Sequence, residues 1–365
     1  MKNRESKSTK EKRLIEIAES FDGIGKVQKV SRYGMGHIND TFLVEGEKRY
    51  IMQRINDKIF GNVPRLMQNI VGVTEYIKKG SGAPEEECLS VIFSNGSPFI
   101  RTEEGWFRLY NFISAGVSIE RVPTAEELYL SAKGFGAFQA ALDGYPAESL
   151  YPSIPDFHNT LKRYEKFLSA VEADAFGRKK EVEKEIAFVT ERKEYCGRVV
   201  RALESGELPC RVTHNDTKLN NVLIDPVGKR PVTVIDLDTV MPGSVLYDFG
   251  DGIRSGASTA AEDERDLDKV HFSRELFEAY ADGFAGEAGK RLTEKETELL
   301  HFGAILMTYE CGMRFLTDYL EGDVYFKVHR DGHNLDRART QFKLVSEMER
   351  EERFMRETVK KYAGK

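Results

Sequence analysis

Between Arg211 and Asp238, three short β-branched or apolar runs interrupt a C-terminal stretch whose periodicity is otherwise helical. They are Arg211-Val212-Thr213, Asn221-Val222-Leu223-Ile224 and Pro231-Val232-Thr233-Val234-Ile235. This pattern demands a small β-structure inside a helical region. It also pins one polar loop, His214-Asn215-Asp216-Thr217-Lys218-Leu219-Asn220-Asn221, between strands at both ends. Loops anchored in this way aim their charged groups rigidly. The third run closes on Asp236, so a buried strand delivers a carboxylate beside the loop.

Taken singly, these Asn and Asp residues are ordinary turn formers between strands. Their joint order points elsewhere, because phosphoryl transfer needs an acid beside the attacking hydroxyl, plus an amide and a second carboxylate to hold Mg²⁺ against nucleotide phosphates. Asp216 is then the candidate base, Asn221 the first metal ligand and Asp236 the second. Lys218 is placed to offset charge on the transferred group, and His214 to buttress the loop. Asp248-Phe249-Gly250 spells the protein-kinase metal motif but lies beyond Asp236, too far from Asp216 for two short strands and a hairpin. Asp248 and Asp251 are expected to cap a helix after Pro242-Gly243 or to brace the loop. Asp238 stays open between a metal contact and a supporting acid.

At these residues the chain resembles the aminoglycoside phosphotransferase and choline kinase superfamily, which shares the protein-kinase fold without its activation loop. More narrowly, THNDTKLNNVLID at 213–225, VIDLDTVMPG at 234–243, YDFGDGIRSGAS at 247–258 and YECGMRFLTDYLEGDVYF at 309–326 are similar to bacterial N-acetylhexosamine 1-kinases. Weaker similarity extends to residues 34–41 and 50–56. The resemblance implies an α+β, protein-kinase-like, two-lobed fold. Residues 1–113 would form a small β-rich nucleotide-binding lobe, and residues 114–365 a mainly helical catalytic and substrate-binding lobe. It implies ATP as co-substrate, Mg²⁺ as cofactor, and transfer to the anomeric C1 hydroxyl of GlcNAc or GalNAc. Arg314 and Tyr325 match the family segment and would hold sugar hydroxyls or the N-acetyl carbonyl, with Ser255 approaching the same site. Arg314 is equally placed to pair with Asp318, four residues along one helix.

Upstream, residues 13–19 read as a short helix, 26–56 as strands around a Gly34-x-Gly36 turn, and 63–79 as a helix. The glycines would let backbone amides approach ATP phosphates closely, or simply form a hairpin turn. His37 and Asp40 face either the sugar or the turn itself. The next strand departs from the wider kinase pattern. Where a lysine normally reaches the phosphates, Met52-Gln53-Arg54 offers Gln53 or Arg54, and alternation lets only one point inward. Charge favours Arg54, with Lys58 a weaker substitute and Glu75 a candidate ion-pair partner or an exposed helix acid. Strand signals return at 89–93 and 106–113. Residues 110–118 then suit a hinge, where the backbone at Asn111 and Phe112 would meet adenine. Long helices are expected at 124–142, 156–173, 178–204, 271–286, 293–320 and 334–362.

A chain of 365 residues, 40% hydrophobic and 31% charged, has room for two sizeable cores. Its net charge of -6 gives no basic footprint for nucleic acid. No apolar run approaches the roughly 18 residues that span a bilayer, and the basic N-terminus lacks a signal-type apolar core. Cys88, Cys196, Cys210 and Cys311 show neither metal-ligand nor disulfide spacing, which suits a reducing cytoplasm. Two rival readings stand: a sibling kinase for an aminoglycoside, choline or another sugar, and a non-catalytic nucleotide-binding scaffold. Oligomeric state is not legible.

Overall fold

The computed structural model describes residues 2–34, 38–119, 121 and 123–364. Gly36 and His37, two of the expected site residues, lie outside the described residues.

Helix α1 (Lys2–Glu19) precedes an antiparallel sheet built from β1 (Lys29–Arg32), β2 (Asp40–Glu45) and β3 (Arg49–Ile55). Helices α2 (Asp57–Phe60) and α3 (Val63–Ser81) follow, then β4 (Val91–Ile92), β5 (Ile100–Thr102) and β6 (Gly105–Asn111). The strand order is β1-β2-β3-β6-β4, with β5 also pairing with β6. Alternation divides the sheet into two faces. Phe42, Val44, Tyr50, Met52, Phe107 and Leu109 pack against Ile17, Ala18 and Phe21 in and beside α1. The opposite face turns Ile55 and Tyr110 toward α3, whose Leu66, Met67, Ile70 and Val73 join the core of the helical region. Asn62 caps α3 and Gly82 ends it in the left-handed region.

The helical region comprises α4 (Ala125–Ala141), α5 (Thr160–Ala173), α6 (Glu183–Glu191), α7 (Tyr195–Glu204), β7 (Arg211–Thr213), β8 (Val222–Asp225), β9 (Arg230–Val234), β10 (Met241–Gly243), α8 (Val245–Gly256), α9 (Arg274–Ala288), α10 (Glu294–Leu320), α11 (His333–Arg350) and α12 (Glu352–Ala363). The expected α+β architecture, with a small sheet preceding a larger helical region, is the one observed. Capping boxes, Thr124 with Glu127 and Thr293 with Glu296, start α4 and α10. Helix α10 runs through the centre of this region and packs on α5, α8, α11 and α12.

Two expected helices are broken. The 178–204 segment divides at 192–194, where the Arg192 guanidinium reaches Glu349 at 2.7 and 2.9 Å and also the Phe188 carbonyl. The 334–362 segment breaks at Glu351, which Arg274 holds at 2.9 Å; Met355, Val359 and Ala363 beyond it enter the core. In each case tertiary ion pairs override a continuous helical periodicity.

Candidate active site

Strands β7 and β10 pair with each other, as do β8 and β9, and the 214–221 loop runs from β7 to β8. Its shape depends on Asn215 at φ +64°, a left-handed conformation that Asn tolerates better than most residues. Two acids of α8 hold that shape. Asp248 accepts the backbone N–H groups of His214 and Asn215, both at 2.8 Å, and the Gln139 amide at 2.7 Å. Asp251 accepts the Thr217 N–H at 3.0 Å and the Arg254 guanidinium at 2.7 Å. Both therefore brace the loop from inside α8, and the helix cap is Ser244. Burial pushes the Asp248 carboxyl upward. Both of its oxygens are turned to these donors inside the fold. His214 accepts the Asp216 N–H through Nδ1 at 3.3 Å and lies 2.9 Å through Nε2 from the Ile235 carbonyl, tying the loop to the end of the third strand.

The Asp216 carboxylate is thereby left partly open to solvent, 30% exposed, with Lys218 Nζ 2.8 Å from its Oδ2. Asn221 Nδ2 donates to the same oxygen at 3.0 Å and to the Asp216 carbonyl at 2.8 Å. Asp236 follows β9 in the left-handed region, φ +62°, which throws its carboxylate out of strand alternation. Its side chain reaches solvent, yet desolvation by the surrounding protein, then the charges of Asp238 and Asp216, push its pKa up to about 6. Burial works against the Lys218 ammonium, but Asp216, Asp236 and Asp251 outweigh it and hold the lysine above its ordinary value. The structure thus brings Asp216, Lys218, Asn221 and Asp236 into one electrostatic cluster.

The N-terminal candidates are distributed differently. Gly34 adopts φ +69°, a conformation in which a side chain would be strained. Asp40 is bound to Arg32 at 2.7 Å and to Arg54, which together hold it below its usual range against partial burial, so it is engaged at the end of the sheet. Arg54 does not point inward. Alternation puts Gln53 on the face toward α3, while Arg54, 47% exposed, pairs with Asp40. Lys58 and Glu75 are exposed. Asn111 spends its side chain on the 88–90 segment, accepting Ser90 N–H at 2.8 Å and donating to the Cys88 carbonyl at 2.9 Å. The Phe112 ring lies between Arg49 and Tyr33. The chain then crosses to the helical region, where Val117 bridges Ile224.

Arg314 and Tyr325 are neighbours: the guanidinium lies 5.5–5.8 Å from the ring centres of Phe157, Tyr325 and Phe326. Arg314 does not pair with Asp318. Asp318 instead accepts three consecutive backbone N–H groups, those of Val324, Tyr325 and Phe326, at 2.8–3.0 Å. Ser255 is exposed and bonds only within its own helix, to the Gly252 carbonyl at 3.2 Å.

A model of the phosphotransferase enzyme family, APH, matches residues 29–288, from β1 through α9. The chain belongs to this family. Among solved structures, this phosphotransferase is similar to an aminoglycoside phosphotransferase from Alicyclobacillus acidocaldarius, with 11% identity, TM-score 0.59 and coverage of 95% and 96% of the two chains. It is similar also to a choline kinase from Cryptosporidium parvum, with 14% identity, TM-score 0.54 and coverage of 97% and 99%. A spectinomycin phosphotransferase in complex with ADP and its antibiotic gives 14% identity, TM-score 0.56 and coverage of 95% and 98%. At these identities the likeness is one of fold. Among the described residues no helix is long and apolar enough to cross a membrane.

Several residues that shape the phosphotransferase site went unread in the sequence. Arg108 and Asn39 both contact Asp238, Arg163 lies near Arg314, and Gln139 holds Asp248. Only Arg108 carried a signal, as a lone charge inside the apolar run Trp106-Phe107-Arg108-Leu109-Tyr110.

Proposed function

We propose that this phosphotransferase moves the γ-phosphoryl group of ATP to the anomeric C1 hydroxyl of an N-acetylhexosamine, with residues 1–113 serving the nucleotide and 114–365 the catalysis and acceptor. The observation that carries the reading is the Asp216 carboxylate, oriented by both Lys218 and Asn221 while sharing the cleft with Asp236. Asp216 takes the acceptor proton as the new O–P bond forms and the bond to the β-phosphate oxygen breaks, leaving ADP. Lys218 offsets charge at the transferred group, and acceleration comes chiefly from alignment.

The donor set fits Mg²⁺. Among the described residues no three His, Cys, Asp or Glu side chains converge into a ready-made cage. Asp236, raised in pKa by desolvation and then by neighbouring carboxylates, and without a described hydrogen bond to its side chain, invites a cation. Asp236 and the Asn221 Oδ1 would hold the ion, and one carboxylate plus one amide suits a metal that keeps water and phosphate ligands. When bound, Mg²⁺ would neutralise charge across the β- and γ-phosphates.

The acceptor reading is supported by the Arg314 surroundings. Arg163 and Arg314 lie close enough that Arg314 adds to burial in lowering the Arg163 pKa. Arg314 forms no described hydrogen bond, so its donors are available to neutral hydroxyl and carbonyl oxygens beside aromatic rings. Incubation with ATP, Mg²⁺ and GlcNAc, GalNAc, glucose, galactose, choline or kanamycin, followed by NMR of the products, tests the reading. Phosphate on C1 of an N-acetylhexosamine supports it. Phosphate on another acceptor rejects the hexosamine, and no transfer despite ATP binding favours an acceptor outside the panel or a scaffold.

A further inference from the structure

The largest fully buried side chain among the described residues is charged. Arg108, 1% exposed, sits on β6 directly opposite Gln53 of β3, on the sheet face turned toward α3. Its Nε and Nη2 donate to Gln53 Oε1 at 2.9 and 2.7 Å, and its two terminal nitrogens grip the Asp238 carboxylate in a bidentate pair. Asp238 is equally buried and has further partners. One carboxylate oxygen accepts the Asn39 amide, and its main-chain oxygen accepts the Ser153 hydroxyl at 2.9 Å. Asn39 Oδ1 in turn accepts the Asn56 N–H at 2.9 Å, at the end of β3.

The sheet, the segment following the Gly34 turn and the helical region therefore converge on one carboxylate, two residues beyond Asp236. Burying two charges is costly, and such a pair is a poor source of stability compared with apolar packing. What it supplies is fixed geometry. A planar fork satisfied on one side by Gln53 and on the other by Asp238 permits one relative placement of the two elements.

We infer that Arg108, acting through Asp238, is a positioning residue that sets the Asp236 turn against the N-terminal sheet, so that the metal ligand keeps a fixed register with β3 and β6. This rests on the proposed metal role of Asp236. It locates the cation missing from the α3-facing side of β3: the charge stands one strand over and orders the phosphate site without touching the nucleotide, since its donors are directed to Gln53 and Asp238.

The test is calorimetric binding of ADP across a Mg²⁺ titration and in EDTA, with near-ultraviolet circular dichroism to verify folding. Arg108→Lys keeps the charge but loses the fork. Asn39→Ala cuts the link to the 38–39 segment without stranding a buried charge, so it reports even if Arg108→Lys fails to fold. Expected are wild-type ADP affinity in EDTA for both, a rise of about tenfold for Arg108→Lys and about threefold for Asn39→Ala in the Mg²⁺ concentration at half-effect, and acceptor KM unchanged. A wild-type Mg²⁺ titration in folded Asn39→Ala would overturn the inference, as would one in folded Arg108→Lys or an equal loss of ADP affinity in EDTA. Asp236→Asn is the control: if it too titrates as wild type, the metal assignment fails instead.

Discussion

Asp248 accepts the backbone N–H of Asn215 across 2.8 Å, and so couples the interior of α8 to the left-handed residue that shapes the 214–221 loop. Removing this carboxylate strands three buried donors, those of His214, Asn215 and Gln139. Asp248→Ala is expected to lose about 3 kcal/mol of stability in denaturant melts, and turnover should fall with loop order. A variant as stable as wild type would show that the loop holds its shape unaided.

For the base, Asp216→Asn preserves size and both flanking contacts in outline while removing the proton acceptor. Turnover should drop by about 10²–10⁴-fold, with ADP affinity and melting temperature little changed. Steady-state kinetics showing near-normal kcat would refute the assignment.

Asp318 organises the segment that carries Tyr325 by accepting three successive amides and the Asn334 side chain, the latter at 2.8 Å. Asp318→Ala should release that segment. Acceptor KM is expected to rise about tenfold, equivalent to about 1.4 kcal/mol, while KM for ATP stays constant. A matched rise in both would place the 324–326 segment outside the acceptor site.

Packing supplies a separate test. Helices α8 and α10 approach so closely that a Cβ on Gly250 would meet the Gly303 carbonyl oxygen at 2.2 Å. Backbone cannot yield as a flexible side chain can. Gly250→Ala should therefore cost about 1–3 kcal/mol, read as a lowered midpoint in urea.

Acid sensitivity should be traceable in part to Glu310. Burial pushes this carboxyl upward, but His158, Arg314 and the hydrogen bonds from His158 and Thr160 outweigh it and hold its pKa below the ordinary value. A depressed folded-state pKa means stability present above the unfolded value and lost as pH falls through the folded one. Glu310→Gln should thus give a flatter stability profile below about pH 4.5. An unchanged acid limb in pH-dependent melts would assign the loss to other carboxylates.

Much of the candidate site was legible because its members are sequence neighbours. Asp216, Lys218 and Asn221 lie in one loop and Asp236 at the end of the next hairpin, so strand signals alone bring them near one another. The α+β class followed in the same way, from period-2 runs early in the chain and helical periodicity later. The Arg54 expectation failed for a local reason. Charge suggested an inward cation, whereas the pleat turned that position outward and left Gln53 facing α3.

Periodicity and turn chemistry determined the elements, their order and the cluster of polar groups on the 214–221 loop, since these depend on residues a few positions apart. Only the tertiary structure decided how Asp248, Asp251 and Asp238 are used. Each meets partners tens of residues away, and at Asp238 those partners are Arg108 and Asn39, 130 and 199 positions distant. A sequence pattern records which groups need partners. Which partner each obtains is fixed by burial, because a desolvated charge must be satisfied by whatever the folded chain brings within reach.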